Sequence, residues 1–304
     1  MSADVRTEVI AIFGPTASGK TDVAEALTER IPAEVVSADA MQVYRGLPIL
    51  TNQPEGPTHL VGIWPLDHEA SVAEYQSLAH AAIDDIAARG QTPVVAGGTG
   101  LYLRAALSDL AVPPALEPGS RERLEALYDR VGPERAHALL AERDPAAAEA
   151  VHANDRRRVV RALELVEVGT TLRGEGLWAE ETRRPTLLVG LDVLRDEIVR
   201  RIEARTARMW ERGVEEEVRA ALAEPVSRTA RTAHGLLDVA SLPREEAQAA
   251  LNLRTRRYAA YQRKWMRRIP GLVSVPADRP PNEVADAILE MARARQRLPA
   301  RRAG

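Results

Sequence analysis

The chain has 304 residues, of which 45% are hydrophobic and 28% are charged, a composition that is ordinary for a folded protein with room for two domains. It has no cysteine, which excludes disulfides and thiolate metal sites, and its net charge of −3 means that a nucleic-acid partner would have to meet local basic patches. Because no apolar run approaches the ~18 residues of a membrane helix and the N-terminus has no signal-peptide pattern, we expect a cytoplasmic protein that does not enter a membrane.

The first motif is a glycine-rich loop between a predicted strand and a predicted helix. It reads Gly14-Pro15-Thr16-Ala17-Ser18-Gly19-Lys20-Thr21, the G-x-x-x-x-G-K-T pattern of phosphate-binding loops. An apolar run of strand length, residues 8–13, precedes the loop, and residues 22–30 carry apolar side chains at helical spacing. Backbone N–H groups of such a loop bind anions, Lys20 adds a positive charge, and the Thr21 hydroxyl is suited to ligate Mg²⁺. The alternative is a chance glycine-rich turn.

The composition of the chain singles out the lysine of this loop. Lys20 and Lys264 are the only lysines among 41 Lys and Arg residues. Because arginine serves almost everywhere else, a lysine here indicates a site in which a slim ammonium fits and a broad guanidinium does not.

Two further strand ends are predicted to meet at the same edge of a sheet. Residues 33–37 are predicted to form a strand that leads to Asp39, and residues 92–96 a buried strand that runs into the glycine-rich segment 97–103, which contains Thr99. Ligands of open parallel sheets bind beyond the carboxyl ends of the strands, so we expect Asp39 and Thr99 to lie near the phosphate loop. The structural alternative for Asp39 is a turn or helix-capping role.

Between these two strands the sequence predicts a short strand and a helix. The strand is expected over residues 59–64. The helix is expected from Ser71 to Arg89, because Ser71 and Glu74 form a capping box and Gly90 can end the helix.

The composition shifts at a proline-rich stretch near residue 113, which we interpret as a linker to a helical region. A strand is predicted again over 186–192, and the chain beyond residue 195 is expected to be helical. The predicted fold is therefore α/β, a parallel sheet of the phosphate-loop NTPase type flanked by helices, with an inserted all-helical domain. The predicted core comprises residues 1–112 and 186–304, and the insertion comprises residues 113–185.

Two clusters of cations are candidates for RNA binding. One lies on a predicted helix after Asp155, and the other spans residues 254–268, where cations alternate with aromatic side chains. Cations bind phosphates and aromatic rings stack on bases, whereas the alternative is a solvated helix face with aromatic residues in the core. The candidate contacts are Arg157, Arg158, Arg161, Arg256, Arg257 and Lys264. The Arg-rich tail from Arg293 onward is expected to be disordered.

These motifs, in this order, resemble the tRNA dimethylallyltransferase (tRNA isopentenyltransferase) family. The matching stretches run from residue 9 to about residue 268. The most specific pair is Asp39-Ala40-Met41-Gln42-Val43-Tyr44 followed by Gly97-Gly98-Thr99-Gly100-Leu101-Tyr102.

The chain departs from the usual pattern of that family at three places. Ala40 stands where the family usually has Ser, and residues 50–54 stand where it usually has Gly-Thr-Ala-Lys-Pro. Gly235-Leu236 stands where it usually has Gly-Tyr.

The resemblance implies that dimethylallyl diphosphate occupies the phosphate loop and that diphosphate leaves. The acceptor would be the exocyclic amine of the adenosine on the 3′ side of the tRNA anticodon, a base that must be flipped out to be reached. Asp39 would accept the proton of the amine, Thr99 would hold substrate, and Lys20 with Mg²⁺ at Thr21 would neutralise the leaving group.

The same resemblance implies two sets of contacts. The diphosphate contacts would be Gly14, Thr16, Ala17, Ser18, Gly19, Lys20 and Thr21. The tRNA contacts would be Asp39, Ala40, Met41, Gln42 and Thr99, together with the six candidate cations named above. The expected partners are the tRNA anticodon stem-loop and dimethylallyl diphosphate, and the expected state is a monomer. Two alternatives stay open from the residues alone: a small-molecule kinase that uses ATP, and a nucleotide-regulated RNA-binding protein without catalysis.

Overall fold

Six parallel strands form the sheet of this protein, whose computed structural model describes residues 7–112, 119–170 and 180–295. The strands are β1 Val9–Phe13, β2 Ala33–Ser37, β3 Thr58–His59, β4 Thr92–Gly97, β5 Thr186–Asp192 and β6 Val273–Pro276. Their order across the sheet is β3-β2-β4-β1-β5-β6, and every neighbouring pair is parallel. The predicted parallel sheet is therefore confirmed.

Two strand predictions differ from the structure. The strand predicted over residues 59–64 is only Thr58–His59, because Leu60 (φ 65°) and Gly62 (φ 61°) turn the chain out of an extended path. The chain beyond residue 195 is not entirely helical either. Its four-residue strand β6 pairs with β5, and a run this short leaves no clear alternation in the sequence.

Twelve α-helices and a short 3-10 helix, Ala230–Thr232, make up the other regular structure of the described residues. The α-helices are α1 Lys20–Thr28, α2 Val72–Ala88, α3 Gly100–Leu107, α4 Ser120–Val131, α5 Pro133–Arg143, α6 Pro145–Ala150, α7 Arg156–Glu167, α8 Arg195–Glu211, α9 Val214–Leu222, α10 Leu236–Ser241, α11 Arg244–Met266 and α12 Pro281–Arg295. Ser71 caps α2 as predicted, since its side chain accepts a hydrogen bond from the N–H of Glu74. Helix α3 was not predicted; it begins inside the glycine-rich segment 97–103.

The chain divides into two compact units. One comprises Met1–Asp109 and Glu180–Gly304 and contains the sheet; the other comprises Leu110–Ala179 and contains α4 to α7. The four helices bury a core of their own, with Leu124, Tyr128, Leu140, Val159 and Leu163 among its members. The predicted insertion spans residues 113–185, and its role in tRNA binding stays a prediction. Residues 113–118, where a linker was predicted, lie outside the described residues.

The register of the sheet brings three strand ends to one edge. In the β1–β4 pair Phe13 lies opposite Gly97, and in the β2–β4 pair Ser37 lies opposite Ala96. All five residues of β1 are buried, so this strand is fixed from both faces. The segments that leave β1, β2 and β4 at their carboxyl ends therefore begin side by side.

The C-terminal helix corrects one prediction. Arg293 and Arg295 belong to α12, and Arg295 donates a hydrogen bond to the carbonyl oxygen of Thr186 at 3.2 Å, so disorder does not begin at Arg293. Residues 296–304 lie outside the described part of the chain. Within the described ranges, no helix has the length and apolar character that crossing a membrane requires.

The close approach of β2 and β4 predicts that Gly97 cannot carry a side chain. A Cβ on Gly97 would collide with the backbone carbonyl of Ala38, and backbone atoms cannot rotate aside as the end of a flexible side chain can. Gly97→Ala is expected to lower the free energy of unfolding by about 1–3 kcal/mol, the usual cost of overpacking, when measured by urea denaturation. Gly56→Ala is the matched control, because its Cβ would lie 3.5 Å from Glu25 Oε1, an ordinary contact. Equal stability of the two variants would contradict this interpretation.

Candidate active site

Residues 14–21 run from the end of β1 into the first turn of α1, and we call this segment the phosphate loop. Ala17 (φ 63°) and Gly19 (φ 86°) both adopt the left-handed conformation, which alanine enters only at a cost in energy. Alternation of such residues with ordinary ones points successive N–H groups toward one centre. Gly14 leaves room for the Ser18 hydroxyl, because a Cβ at residue 14 would lie 2.6 Å from that oxygen.

Lys20 turns its ammonium into the phosphate loop. Its Nζ donates to the carbonyl oxygens of Gly14 at 3.0 Å and Pro15 at 2.9 Å. Burial lowers the pKa of Lys20 from 10.5 to about 8; the Asp39 carboxylate opposes this shift and the Arg205 guanidinium adds to it. The ammonium is thus poorly compensated in the protein alone, which favours the binding of an anion.

Thr16, near the tip of the phosphate loop, is held by side chains from two distant helices. Arg205 of α8 donates from Nη1 to the Thr16 hydroxyl at 2.8 Å, and Gln262 of α11 accepts the Thr16 N–H at 2.7 Å. Burial lowers the pKa of Arg205 to about 10, and the negative charge of Asp39 opposes this shift. The loop therefore carries a second cation, Arg205, that the sequence analysis missed.

Asp39 lies just beyond β2 and shapes the turn that follows. Its Oδ1 accepts the N–H of Met41 at 2.9 Å and that of Gln42 at 3.4 Å. Asp39 therefore has the turn-stabilising role that was the structural alternative for this residue. Its charge also raises the pKa of Lys20, Arg205 and Tyr258, which identifies it as the carboxylate that faces this cluster.

Thr99 connects the end of β4 to the turn of Asp39. Its Oγ1 accepts the N–H of Ala40 at 3.2 Å and lies 3.4 Å from the hydroxyl of Tyr258. Burial, followed by the Asp39 charge, raises the pKa of Tyr258 to about 12. We call Asp39, Ala40, Gly98 and Thr99 the Asp39–Thr99 edge; it faces α11.

The side chain of Gln42 braces the neighbouring loop. Its Oε1 accepts from the Ser37 hydroxyl at 2.9 Å, and its Nε2 donates to the carbonyl oxygen of Asn52 at 2.8 Å. Met41 packs partly buried against the cluster that includes Leu47. A cavity of about 220 Å³ opens here, with Thr21, Ser37 and Gln42 in its lining. The predicted tRNA contacts at 41 and 42 thus have structural partners of their own.

The six candidate cations fall into two groups. Arg161 pairs with Glu164 at 3.2 Å, and Arg256 pairs with Glu203, so each already has an acidic partner. The other four have exposed side chains and no ion-pair partner among the residues described: Arg157, Arg158, Arg257 and Lys264. Of the predicted set, these four present the most available charge to an external anion.

Three aromatic rings form a row along α11. The ring centroids of Tyr258 and Tyr261 are 6.4 Å apart, as are those of Tyr261 and Trp265. Trp265 packs so closely on Gly100 that a Cβ there would collide with the indole. Tyr261 is 54% exposed. Both interpretations of the cluster therefore apply: Trp265 packs internally, and Tyr261 offers a ring to solvent.

Gln262 and Arg205 were not identified from the sequence. Only Gln262 has a feature in the sequence that could have indicated its role. Thr255 and Gln262 are polar residues at helical spacing with the buried Leu251 and Ala259, and such residues need partners. Arg205 is one arginine among many, and nothing in the sequence distinguishes it.

Comparisons with known proteins agree with the geometry. Residues 42–269 match the family described as IPP transferase, and residues 7–56 match the family described as Isopentenyl transferase. The tRNA dimethylallyltransferase of Streptomyces coelicolor is 43% identical over 282 residues, which cover 88% of this chain and 90% of that protein. That of Thermobifida fusca is 42% identical over 291 residues, with 90% and 91% covered.

Solved structures give the same result. The full-length tRNA isopentenylpyrophosphate transferase of Bacillus halodurans superposes with a TM-score of 0.67 at 30% identity, over 95% of this chain and 98% of that one. A eukaryotic dimethylallyltransferase, crystallised acting on tRNA, superposes with a TM-score of 0.75 at 25% identity, over 97% and 81%.

The poorly compensated ammonium of Lys20 gives a prediction that needs no reaction. In protein labelled with ¹³C,¹⁵N-lysine, the Lys20 side-chain resonance should titrate near pH 8. Inorganic diphosphate should move this midpoint to higher pH, because nearby negative charge favours the ammonium form. Lys264 supplies the second lysine resonance, and Lys20→Arg assigns the two. A midpoint near 10.5, or one that diphosphate leaves unmoved, would contradict the proposed anion site.

Proposed function

The chain belongs to the family of tRNA dimethylallyltransferases, and from this premise we propose the reaction that its active site performs. The dimethylallyl group of dimethylallyl diphosphate is transferred to the exocyclic amine of the adenosine on the 3′ side of the tRNA anticodon, with release of diphosphate. The observation that carries this proposal is the convergence of the phosphate loop with Asp39 and Thr99 at one edge of the sheet.

The phosphate loop holds the leaving group. Its N–H groups and the cations of Lys20 and Arg205 surround the diphosphate, so that the negative charge that develops as the carbon–oxygen bond breaks is already compensated. The bonding electrons leave with the diphosphate oxygen. Bound diphosphate also keeps Lys20 protonated, because its negative charge raises the lowered pKa of that ammonium.

The Asp39–Thr99 edge prepares the nucleophile. The adenine amine is a weak nucleophile, so its lone pair attacks the allylic carbon while a proton passes from nitrogen to the Asp39 carboxylate. Oδ1 of Asp39 is engaged by the turn, and among the described residues no hydrogen bond to Oδ2 is seen. Oδ2 is therefore the oxygen that accepts the proton, while Thr99 orients the base.

Mg²⁺ fits this site as an ion shared with the substrate. No group of three or more His, Cys, Asp or Glu side chains suited to a metal occurs in the described ranges, and Thr21, the last residue of the phosphate loop, offers one hydroxyl. Mg²⁺ commonly keeps several waters and binds substrate phosphates through few protein ligands, so this donor set suits it. When bound there, it would add positive charge at the leaving group.

Both units contribute to RNA binding in this proposal. Arg157 and Arg158 on α7 and Arg257 and Lys264 on α11 are exposed cations for the phosphates of the anticodon stem-loop. The exposed ring of Tyr261 offers a stacking surface to an unpaired base.

The compartment and the working state follow from the substrates. We propose the cytoplasm, because the tRNA substrate is used there in translation. We also propose a monomer, because the phosphate loop and the Asp39–Thr99 edge lie in one unit of a single chain.

Transfer to RNA tests the proposal directly. Purified protein is incubated with unmodified tRNA, Mg²⁺ and radiolabelled dimethylallyl diphosphate, and the RNA is digested for nucleoside analysis. Label in an N6-modified adenosine from the position 3′ of the anticodon is expected. ATP turnover with phosphorylation of a metabolite would favour a kinase, and RNA binding without label would favour a non-catalytic module.

The carboxylate of Asp39 is expected to matter for its charge more than for its shape. Asn can keep the Oδ1 contacts to Met41 and Gln42, so Asp39→Asn should fold and bind substrates. Loss of the proton acceptor should slow the single-turnover transfer by about 10²–10⁴. Asp144→Asn is the matched control, because Asp144 caps α6 through Ala147 far along the chain from this site. A near-normal rate for Asp39→Asn would remove Asp39 from the chemistry.

The exposed cations of α7 are expected to contribute to tRNA affinity. The double variant Arg157→Glu/Arg158→Glu should weaken tRNA binding and flatten its salt dependence, measured by filter binding over a range of salt. Affinity for inorganic diphosphate should stay unchanged.

The control for this variant is Arg135→Glu/Arg143→Glu, which makes the same charge change at exposed positions of α5. If both double variants lose the same tRNA affinity, the loss comes from the change in overall charge and not from contacts of α7. If neither double variant changes tRNA affinity, the α7 cations form a solvated helix face that does not bind RNA.

A further inference from the structure

Gln262 is a buried amide that bridges the two halves of the site. It lies on α11 with 2% of its surface exposed. Its Oε1 accepts the N–H of Thr16 at 2.7 Å, and its Nε2 donates to the carbonyl oxygen of Gly98 at 2.8 Å. One side chain therefore spans from the phosphate loop to the Asp39–Thr99 edge.

The protein makes room for this bridge. Gly98 carries no Cβ, and a Cβ there would collide with Nε2 of Gln262. The two partners are 246 and 164 residues away from Gln262 in the chain, so the contact is a feature of the fold. An N–H or carbonyl that is shielded from water and left without a partner is costly, so both bonds resist breaking.

The bridge continues to the reacting groups through adjacent residues. On one side Thr16 also accepts a hydrogen bond from Arg205, which is proposed above to bind the diphosphate. On the other side Gly98 precedes Thr99, whose hydroxyl accepts the N–H of Ala40 next to Asp39. Hydrogen bonds and directly adjacent backbone residues thus connect the groups proposed to hold the diphosphate with those proposed to hold the amine.

We propose that Gln262 is a positioning residue that sets the separation between the phosphate loop and the Asp39–Thr99 edge. This inference rests on the transfer reaction proposed above, and it assigns to Gln262 no contact with either substrate. The amine nitrogen must meet the allylic carbon as that carbon leaves the diphosphate oxygen, so the spacing of the two halves sets the approach. A misplacement of about 1 Å between reacting groups can cost on the order of 10² in rate.

Two substitutions separate the bridge from simple packing. Gln262→Met keeps the length and approximate volume of the side chain and loses both hydrogen bonds. Gln262→Glu keeps an acceptor for Thr16 but removes the donor to Gly98, so it breaks one side of the bridge. Thr255→Val is the matched control: it removes a buried polar group, 3% exposed, from the same helix at a position seven residues before Gln262.

The experiment compares rate with affinity. Single-turnover transfer is measured with both substrates saturating, alongside the dissociation constants of inorganic diphosphate and of unmodified tRNA, and urea denaturation of each variant. For Gln262→Met we expect a rate on the order of 10² lower with both dissociation constants little changed. Gln262→Glu should also be slow, and Thr255→Val should transfer at the wild-type rate.

Other outcomes would contradict the positioning role of Gln262. A wild-type rate in folded Gln262→Met overturns it, and so does a loss of diphosphate affinity that accounts for the whole loss of rate. If Gln262→Met does not fold, Gln262→Glu decides by the same two criteria. Absence of transfer by the wild-type protein would instead overturn the proposed function, on which this role depends.

Discussion

The parallel pairing of β1 with β4 is the constraint on which the site depends. It sets Phe13 opposite Gly97, so the phosphate loop and the segment that holds Thr99 start from adjacent strand ends. β2 joins the other side of β4 and delivers Asp39 to the same edge. The fit is close, since a Cβ on Gly97 would strike the backbone next to Asp39. The segments proposed to bind the two substrates therefore lie side by side because their strands are neighbours in the sheet.

Electrostatics then decides what this edge can bind. Lys20 and Arg205 are cations whose pKa values burial lowers, and Asp39 is the carboxylate that opposes the shift in both. One carboxylate facing two cations leaves positive charge uncompensated, which an anionic diphosphate can complete. In the proposed reaction the same carboxylate takes the proton from the neutral amine. The arrangement therefore places the proposed anion-binding groups and the proposed proton acceptor in one cluster.

Much of this architecture follows from local patterns. The strands around the phosphate loop and the helix after Ser71 were predictable, because burial, alternation and capping act over a few residues. The short strands were not: Leu60 and Gly62 end β3 after two residues, and β6 is too brief to show alternation.

The side chains that complete the site were less predictable than its backbone. Arg205 and Gln262 reach Thr16 from helices far along the chain, and no local pattern encodes that contact. Charge alone also did not show which cations are unpaired: Arg161 and Arg256 belong to the predicted RNA surface and pair with acidic neighbours. The roles of the predicted site residues toward substrates stay predictions.

In the proposed reaction the phosphate loop binds the diphosphate and the Asp39–Thr99 edge binds the adenine amine, on opposite sides of the allylic carbon. A crystal structure with an anticodon stem-loop and an unreactive thio analogue of dimethylallyl diphosphate would test it most directly. The account predicts diphosphate oxygens at Lys20 and Arg205, and the flipped adenine amine within hydrogen-bonding distance of the Asp39 carboxylate, facing the allylic carbon. A diphosphate bound outside the phosphate loop, or an amine turned away from Asp39, would contradict it.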